Sequence, residues 1–352
     1  MPSATTADRH APQPVATVPA PTCPVCGEGA STELHAGLRD RVFGVAGGSW
    51  TLRRCAVCAT ARLDPRPADD ALGRLYAAYY THEPPRPNIA PAGRLASALR
   101  ALRNAHVNAR LGYRLQPAWG AGRVAGRLVA PLAAVAERGV RSLPAGERLL
   151  DVGCGNGQFV AEAAAAGWHA SGIDLDDAAV EAGRRAGLDL RRESVQERAA
   201  REPGAFDAVT LSHVVEHVAD PVAFLRAVRD LLRAGGHVWV ATPNLAAAAH
   251  RTFGGDWVHL DPPRHLVLFE HDGLERALRA AGFSDVVALR PTPTAAAGFQ
   301  ISAAIRRGIC PANDVRDGGT ALRLRALAAD LIAQCDRRRA DELLVLATRP
   351  RA

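Results

Sequence analysis

The sequence has 352 residues, 48% of them hydrophobic, and a formal net charge of +7 at pH 7. A chain of this length and apolar content can bury more than one core, and it lacks any apolar run of about 18 residues, so we expect two domains and no membrane span. All 43 basic side chains are arginine, which excludes a lysine Schiff base or a lysine general base.

Residues 1–20 are rich in Ala, Pro and Thr and have no apolar run of the kind found in a signal peptide. This composition predicts a disordered tail, because such a segment cannot bury enough apolar surface to fold. With no export signal in the sequence, the cytoplasm is the expected compartment.

Four of the seven cysteines form two C-x2-C pairs, Cys23 with Cys26 and Cys55 with Cys58. Two such pairs can place four thiolates around one ion, a closed tetrahedral arrangement that is typical of structural zinc. Strand-like residues lie between the pairs, so we predict a zinc-ribbon head with a short helix over residues 21–83. Disulfides are the alternative, although they are rare in cytosolic proteins.

Residues 84–145 form a basic segment with helical spacing of apolar side chains. Eleven arginines and only two glutamates lie between residues 84 and 148. Helices are predicted within 94–115 and 121–143, with Pro131 kinking or dividing the second. The segment is predicted to be a helical linker or cap. Alternatively, residues 94–143 would contact an anionic membrane or a lipid-linked substrate. Nucleic acid is the weaker alternative because aromatic residues are sparse.

A glycine-rich turn follows the first buried strand, which we place at 148–152. Gly153, Gly155 and Gly157 precede a helix, and a second strand ends near Asp174, so the segment is a βαβ unit. Glycines let a backbone approach a bulky ligand, and Asp174 is placed to accept hydrogen bonds from ribose hydroxyls. The turn alone leaves a nicotinamide-dependent enzyme open as an alternative.

The pieces LLDVGCGNGQF, SGIDLD, FDAVTLSHVVEHVADP and LLRAGGHVWVATPN together resemble the class I, Rossmann-like SAM-dependent methyltransferases. The E-H-V-x-D-P signature resembles the branch that includes ubiquinone-biosynthesis-type O-methyltransferases. CPVCG…CAVC and WVHLDPPRHLVLF resemble the zinc head and a later loop of bacterial relatives. The resemblance implies an α/β fold for residues 146–352. Its seven-stranded sheet would have the strand order 3-2-1-4-5-7-6, with the last strand antiparallel to the others and helices on both faces of the sheet. A helical excursion over residues 291–340 would precede the last strand.

The resemblance also implies S-adenosyl-L-methionine (SAM) as cofactor and assigns residues to it. Asp174 would hold the ribose, Leu175, Ser194 and Val195 would lie near the adenine, and Ser212 would lie near the reactive methyl. The turn that would surround the methionine part comprises Asp151, Gly153, Cys154, Gly155, Asn156 and Gly157.

Methyl transfer requires an acceptor held in line with the methyl group, and an acidic hydroxyl acceptor must also lose its proton. His213 is the candidate base or acceptor-positioning group. Glu216 and His217 would share its helical face if a helix began at His213, although a structural cap is the alternative. His265 completes the candidate catalytic set.

The loop 257–265 is dense in polar and aromatic residues and is predicted to be a substrate lid, with a structural cover over the sheet edge as the alternative. Trp257, His259 and Arg264 are its candidate acceptor-binding residues.

The sequence therefore predicts transfer of a methyl group to an oxygen of a small-molecule, glycan or lipid-linked acceptor. An RNA methyltransferase that uses its zinc head for binding, a sugar C-methyltransferase and a catalytically inactive SAM-binding scaffold are the alternatives. The sequence does not indicate an oligomeric state.

Overall fold

The computed structural model describes residues 12–76, 85, 93–128, 136–137, 139–311 and 319–351. Its N-terminal head is built on an antiparallel sheet in which the third, fifth and sixth strands of the chain are neighbours. The elements of the head are β1 (Gln13–Pro14), β2 (Thr17–Val18), β3 (Ser31–Leu38), β4 (Ala46–Gly47), β5 (Trp50–Cys55), β6 (Ala61–Leu63), β7 (Arg66–Pro67) and α1 (Asp69–Leu75).

The prediction of a disordered tail over 1–20 is wrong for residues 12–20, and residues 1–11 lie outside the described residues. β1 pairs with β4, and β2 pairs with β7. The segment is fixed through its backbone: the Arg62 guanidinium donates to the carbonyl of Ala20 at 2.6 Å, and the Ala20 amide donates to Asp64 at 2.9 Å. The amino-acid composition of residues 12–20 did not indicate this ordered structure, because pairing through the backbone needs no apolar side chains.

The described residues after the head include the helices α2 (Arg94–Leu111) and α3 (Ala121–Leu128). They cross closely because α3 has glycines at the contact: a Cβ on Gly126 would lie 2.0 Å from the His106 ring. Within the range 121–143, residues 121–128 are helical as predicted, and residues 139–142 form a 3-10 turn. Pro131 and the expected kink lie outside the described residues. No described helix is long and apolar enough to cross a membrane.

The remainder of the chain alternates strands and helices around a seven-stranded sheet. Its strands are β8 (Arg148–Val152), β9 (His169–Asp174), β10 (Leu190–Arg192), β11 (Phe206–Ser212), β12 (Leu232–Pro243), β14 (Ser284–Ala288) and β15 (Glu342–Thr348), and β13 (Val267–Leu268) lies outside this sheet. Its helices are α4 (Gln158–Ala165), α5 (Asp177–Arg185), α6 (Val195–Arg201), α7 (Pro221–Leu231), α8 (Ala248–Phe253), α9 (His271–Ala280), α10 (Ala295–Arg306) and α11 (Thr320–Cys335).

The strand order is β10-β9-β8-β11-β12-β15-β14, and β15 is antiparallel to both of its neighbours. In the numbering of this sheet alone, that order is 3-2-1-4-5-7-6, so the predicted topology is confirmed. The carboxyl ends of the parallel strands meet at one edge of the sheet, which is where open α/β sheets bind their ligands. β15 runs the opposite way and therefore begins at that same edge, with Glu342 in register with Pro243.

The head packs directly against the domain that contains the seven-stranded sheet. β13 pairs with β6 and extends the sheet of the head, with Val267 opposite Arg62 and Leu268 opposite Ala61. One continuous apolar core contains side chains from both parts. The sequence did not predict this contact, because a two-residue strand has no periodicity of its own.

Candidate active site

The glycine-rich turn connects β8 to α4 through backbone conformations that favour glycine. Gly153, Gly155 and Gly157 have φ values of 71°, 51° and 81°. A Cβ on Gly153 would also lie 2.5 Å from a methyl group of Val214, so the turn packs directly against the segment that follows β11. The predicted cofactor turn and the predicted acceptor side of the site are thus in contact.

Asp174 closes the other side of the turn. Its carboxylate accepts hydrogen bonds from the amides of Gly155 at 2.7 Å and Asp176 at 2.9 Å, which fixes it at the carboxyl end of β9. Each oxygen keeps a further lone pair, so the group can still accept from two ribose hydroxyls. Leu175, next to it, is 69% exposed and offers the flat apolar surface that an adenine ring requires.

Asp151 and Cys154 are buried beneath the turn. Asp151 accepts a hydrogen bond from the Thr210 hydroxyl at 2.7 Å. Burial raises the pKa of Asp151 to about 7, because few groups around it compensate for a desolvated negative charge. Asp151 therefore changes its charge within the neutral pH range.

Two of the residues predicted near the adenine have structural roles in this fold. The hydroxyl and amide of Ser194 both bond to Glu197, forming a capping box at the start of α6. Val195 is buried in the core. Their contact with the cofactor remains a prediction. Asn156 lies in the turn with its side-chain oxygen 3.3 Å from the Gln158 amide. Ser212 lies half-buried at the carboxyl end of β11.

His213 follows β11 with a φ of 55°, in the left-handed region. Its Nδ1 lies 3.1 Å from Glu216, and its Nε2 lies 3.1 Å from Glu342. Burial alone would lower the pKa of His213, but the hydrogen bonds and charges of these two carboxylates outweigh it and raise the pKa well above 6.5. An imidazolium donates at both nitrogens and has no lone pair for a proton. The arrangement therefore favours a charged, positioning role over the predicted base.

No helix begins at His213, which was the condition for a helical face shared with Glu216 and His217. A 3-10 turn covers Val215–His217, and the α-helix begins only at Pro221, where Asp220 caps it. The left-handed backbone at His213 and the proline explain the later start. Glu216 nevertheless faces His213, and it is fully buried, with its second oxygen accepting from the Thr242 hydroxyl at 2.8 Å. Burial by itself would raise the pKa of Glu216, but His213 lowers it to about 2.

The loop 257–265 lies mostly inside the protein. Trp257 and His265 are buried. His259 is half-buried, and its ring stacks on that of His213 at 6.3 Å between centroids. Burial and the charge of His213 lower the pKa of His259 to about 4, so His259 is a neutral imidazole at the edge of the site.

Arg264 does not serve the predicted acceptor-binding role in this structure. It is fully buried, and its guanidinium donates to Asp40 at 2.7 Å and to Asp261 at 2.9 Å. Both carboxylates are buried as well, so the positive charge of Arg264 is paired inside the protein, and Asp40 also accepts hydrogen bonds from the backbone amides of Phe43, Val45 and Ala46. Arg264 ties the loop to the head, which fits the alternative interpretation of the loop as a structural cover.

Sequence reasoning missed two residues of this cluster, Glu342 and Thr242. Glu342 reaches His213 only because β15 is inserted antiparallel beside β12, and Thr242 lies where β12 ends. Tyr76, from the end of α1, was also missed. Its hydroxyl lies 2.9 Å from Nδ1 of His217. The topology expected from the resemblance was the signal that would have placed Glu342 at this edge.

The four cysteines of the head converge as predicted. Sγ of Cys23 lies 3.5 Å from that of Cys58, and Sγ of Cys26 lies 3.6 Å from those of Cys55 and Cys58. Four thiolates at about 2.3 Å from a tetrahedral zinc ion would be about 3.8 Å apart, whereas a disulfide needs about 2.05 Å. The donor set and its spacing therefore fit a four-thiolate zinc ion.

Comparison with known proteins agrees with this geometry. Residues 121–288 match a family model described as a methyltransferase domain. A ubiquinone biosynthesis O-methyltransferase of Xanthomonas axonopodis pv. citri is 42% identical over 112 residues, which are 30% of this chain and 47% of that protein. Another, of Ralstonia nicotianae, is 36% identical over 159 residues, 42% of this chain and 64% of that protein.

The chain thus spans less than two thirds of the length of these curated relatives. A SAM-dependent methyltransferase structure from Archaeoglobus fulgidus has a TM-score of 0.41 at 17% identity, covering 62% of this chain and 93% of that chain. The family match and the order of the seven strands lead to one conclusion: the chain contains a methyltransferase domain, matched over residues 121–288, on a Rossmann-like seven-stranded sheet.

Proposed function

We propose that this protein transfers the methyl group of SAM to an oxygen atom of a small-molecule, glycan or lipid-linked acceptor. The observation that carries the proposal is that His213 lies between Glu216 and Glu342 and directly precedes Val214, which packs against the cofactor turn. The curated relatives are named O-methyltransferases, which supports oxygen as the receiving atom.

SAM supplies a sulfonium-bound methyl group, which is already a strong electrophile, so the protein mainly has to bind and orient both partners. In the proposal, the glycine turn and Asp151 hold the methionine part, and Asp174 accepts from the ribose. The Asp174 carboxylate is preorganised for this by two backbone amides. Little binding free energy is then lost in ordering it.

The charged His213 is proposed to position the acceptor oxygen. A fixed positive charge stabilises the oxyanion that an acidic hydroxyl leaves when its proton passes to bulk water, and it does so strongly at a partly desolvated site. The side chain of His213 is 37% exposed, so an acceptor can reach the ring. Two carboxylates hold the ring in place, which keeps its positive charge fixed when the acceptor binds.

The four cysteines are proposed to bind structural zinc. All four positions of the ion would be filled by thiolates, so the ion would stabilise the head and take no part in methyl transfer.

The test is to incubate the purified chain with SAM carrying a trideuterated methyl group and with panels of hydroxylated metabolites, glycans and lipid-linked sugars, following the label by mass spectrometry and NMR. The proposal expects the label on oxygen. His213→Asn should lower kcat at least about tenfold while leaving the affinity for SAM within about twofold. Label on the carbon of a sugar, or on RNA recovered from the same incubation, would overturn the assignment of the acceptor atom.

A further inference from the structure

A cavity of about 780 Å³ lies between helix α2 and the edge of the sheet that is opposite the cofactor turn. Part of its wall comes from residues 145–146, which precede β8, and from residues 165–168, which precede β9. The two strands are parallel, so these residues lie at their amino ends. Gly153 and Asp174 lie at the carboxyl ends, and a five-residue strand such as β8 spans about 16 Å. The cavity is therefore separate from the candidate active site.

Four arginines line this cavity, and among the described residues none of their side chains makes a hydrogen bond or an ion pair with the protein. They are Arg100, Arg103, Arg114 and Arg141. Arg100 and Arg103 lie on one face of α2, whereas Arg141 comes from the 3-10 turn 139–142. The Nε atoms of Arg100 and Arg103 are buried without a partner. Donors from separate elements thus converge on one space.

The positive charge of the cavity is not compensated by the part of the protein that the structure describes. No described aspartate or glutamate lies in the cavity wall. Neighbouring arginines outside the cavity do have partners: Arg110 pairs with Glu137 at 3.3 Å, and Arg148 pairs with Glu202 at 2.9 Å. Half-buried like charges repel one another more strongly than exposed ones, so an anion in the cavity would be stabilised by all four arginines.

Asn104 provides a second, independent observation. Its side chain lines the cavity, is only 3% exposed, and donates from Nδ2 to the carbonyl oxygen of Pro117 at 2.9 Å. A carbonyl oxygen can only accept, so this bond fixes which way the amide faces. Its Oδ1 is buried and has no donor among the described residues. A buried acceptor normally has a donor, and a hydroxyl group beside the bound anion would supply one.

Two aromatic residues in the wall offer only their ring surfaces to a ligand. The Trp168 indole donates to the Tyr113 hydroxyl at 3.0 Å, and that hydroxyl donates to the carbonyl of Val140 at 2.9 Å. Their polar atoms are thus used within the protein. The remaining surface is apolar and suits the carbon skeleton that carries the anion and the hydroxyl.

We propose that this cavity binds the phosphate group of a hydroxylated phosphate ester, such as a sugar phosphate. Guanidinium groups present paired N–H donors that match phosphate oxygens, and a phosphomonoester brings nearly two negative charges at neutral pH. The volume lies within the range of about 300–1,000 Å³ that small-ligand pockets occupy. Because the cavity lies at the opposite edge of the sheet, its ligand does not receive the methyl group. The inference therefore goes beyond the proposed function.

The experiment is a calorimetric titration of the full chain with glucose 1-phosphate at neutral pH and about 150 mM salt, with inorganic phosphate and glucose as comparison probes. Glucose 1-phosphate should bind at one site, more tightly than inorganic phosphate, and glucose should not bind. Arg103→Gln and Arg141→Gln should each weaken binding at least about tenfold. Arg123→Gln removes the same charge from an exposed arginine of α3 outside the cavity, and should leave binding unchanged.

A soluble sugar phosphate and a phospholipid headgroup share this chemistry, and vesicle flotation separates the two sources. Flotation with phosphatidylglycerol vesicles that Arg103→Gln abolishes and Arg123→Gln retains would assign the site to a lipid headgroup. Binding of glucose 1-phosphate without flotation would assign it to a soluble metabolite. Either result supports a phosphate site in the cavity.

Urea midpoints within the error of the wild type would show that the variants are folded. Arg103 and Arg141 belong to different elements, so one variant still tests the site if the other fails this control. The proposal is overturned if neither the phosphate probes nor the vesicles bind, or if Arg123→Gln weakens binding as much as the folded cavity variants do. Displacement of glucose 1-phosphate by SAM would also overturn it, because the probe would then occupy the candidate active site.

Discussion

Replacing Arg264 with methionine should destabilise the protein strongly, because it removes the positive charge from a buried group of three ions. Arg264 is fully buried and bonds to Asp40 at 2.7 and 3.2 Å and to Asp261 at 2.9 Å. Arg264→Met would leave two buried carboxylates without a cation. Breaking a buried pair in this way costs about 3–5 kcal/mol. The unfolding equilibrium constant should therefore rise about 10²- to 10⁴-fold.

The free energy of unfolding can be followed in urea by tryptophan fluorescence at a constant excess of zinc. Arg41→Met is the matched control, since Arg41 and Asp256 also join the head to the catalytic domain, but their side chains are 48% and 25% exposed. An exposed pair contributes less than about 1 kcal/mol. If Arg264→Met cost no more than Arg41→Met, the account of the head as an integral part of the fold would be wrong.

The free energy of unfolding that Arg264→Met loses should depend on pH in a defined direction. Burial tends to raise the pKa of Asp40, but the hydrogen bond and charge of Arg264 lower it below its ordinary value, with help from backbone amides. A carboxylate with a lowered pKa stabilises the fold above its unfolded pKa, and the contribution is lost as the pH falls through the folded value. The difference between wild type and Arg264→Met should therefore shrink below about pH 4.

Three further predictions concern the cofactor turn and the head. Gly153→Ala should weaken SAM binding at least about tenfold in calorimetry, because the alanine would have a strained left-handed backbone and its Cβ would collide with Val214. Gly187→Ala, at a position with a similar φ but open space around the Cβ, should leave SAM binding unchanged. Because Asp151 gains its charge around pH 7, the affinity for the ammonium-bearing SAM should rise between pH 6 and 8, and Asp151→Asn should abolish that rise. Cys26→Ser should remove the thiolate-to-cobalt charge-transfer absorption of the Co²⁺-loaded head, whereas Cys335→Ser, at an exposed cysteine, should retain it.

The sequence predicted the elements whose signals are local. The glycine turn, Asp174 and the two cysteine pairs are short motifs in which spacing alone constrains the geometry. The order of the sheet followed from the resemblance, because the family's topology is shared by chains with very different side chains. These predictions needed no knowledge of distant contacts.

The errors and omissions arise where a residue's role depends on a partner far along the chain. Arg264 was assigned to the acceptor because its partner Asp40 lies 224 positions away. Glu342 was missed because it is 129 positions from His213. A charged residue in a polar loop looks the same in sequence whether it faces solvent or a buried carboxylate, and only the fold distinguishes the two.

The central claim is that the turn after β8 and Asp174 bind SAM, and titration calorimetry of SAM into the purified chain tests it most directly. The wild type should bind one SAM per chain. Asp174→Asn, which keeps the shape but loses the charged acceptor, should weaken binding at least about tenfold, because hydrogen bonds to a charged group contribute about 1.5–3 kcal/mol each. Absence of binding by the folded wild type at millimolar SAM, or equal affinity of wild type and Asp174→Asn, would contradict the claim.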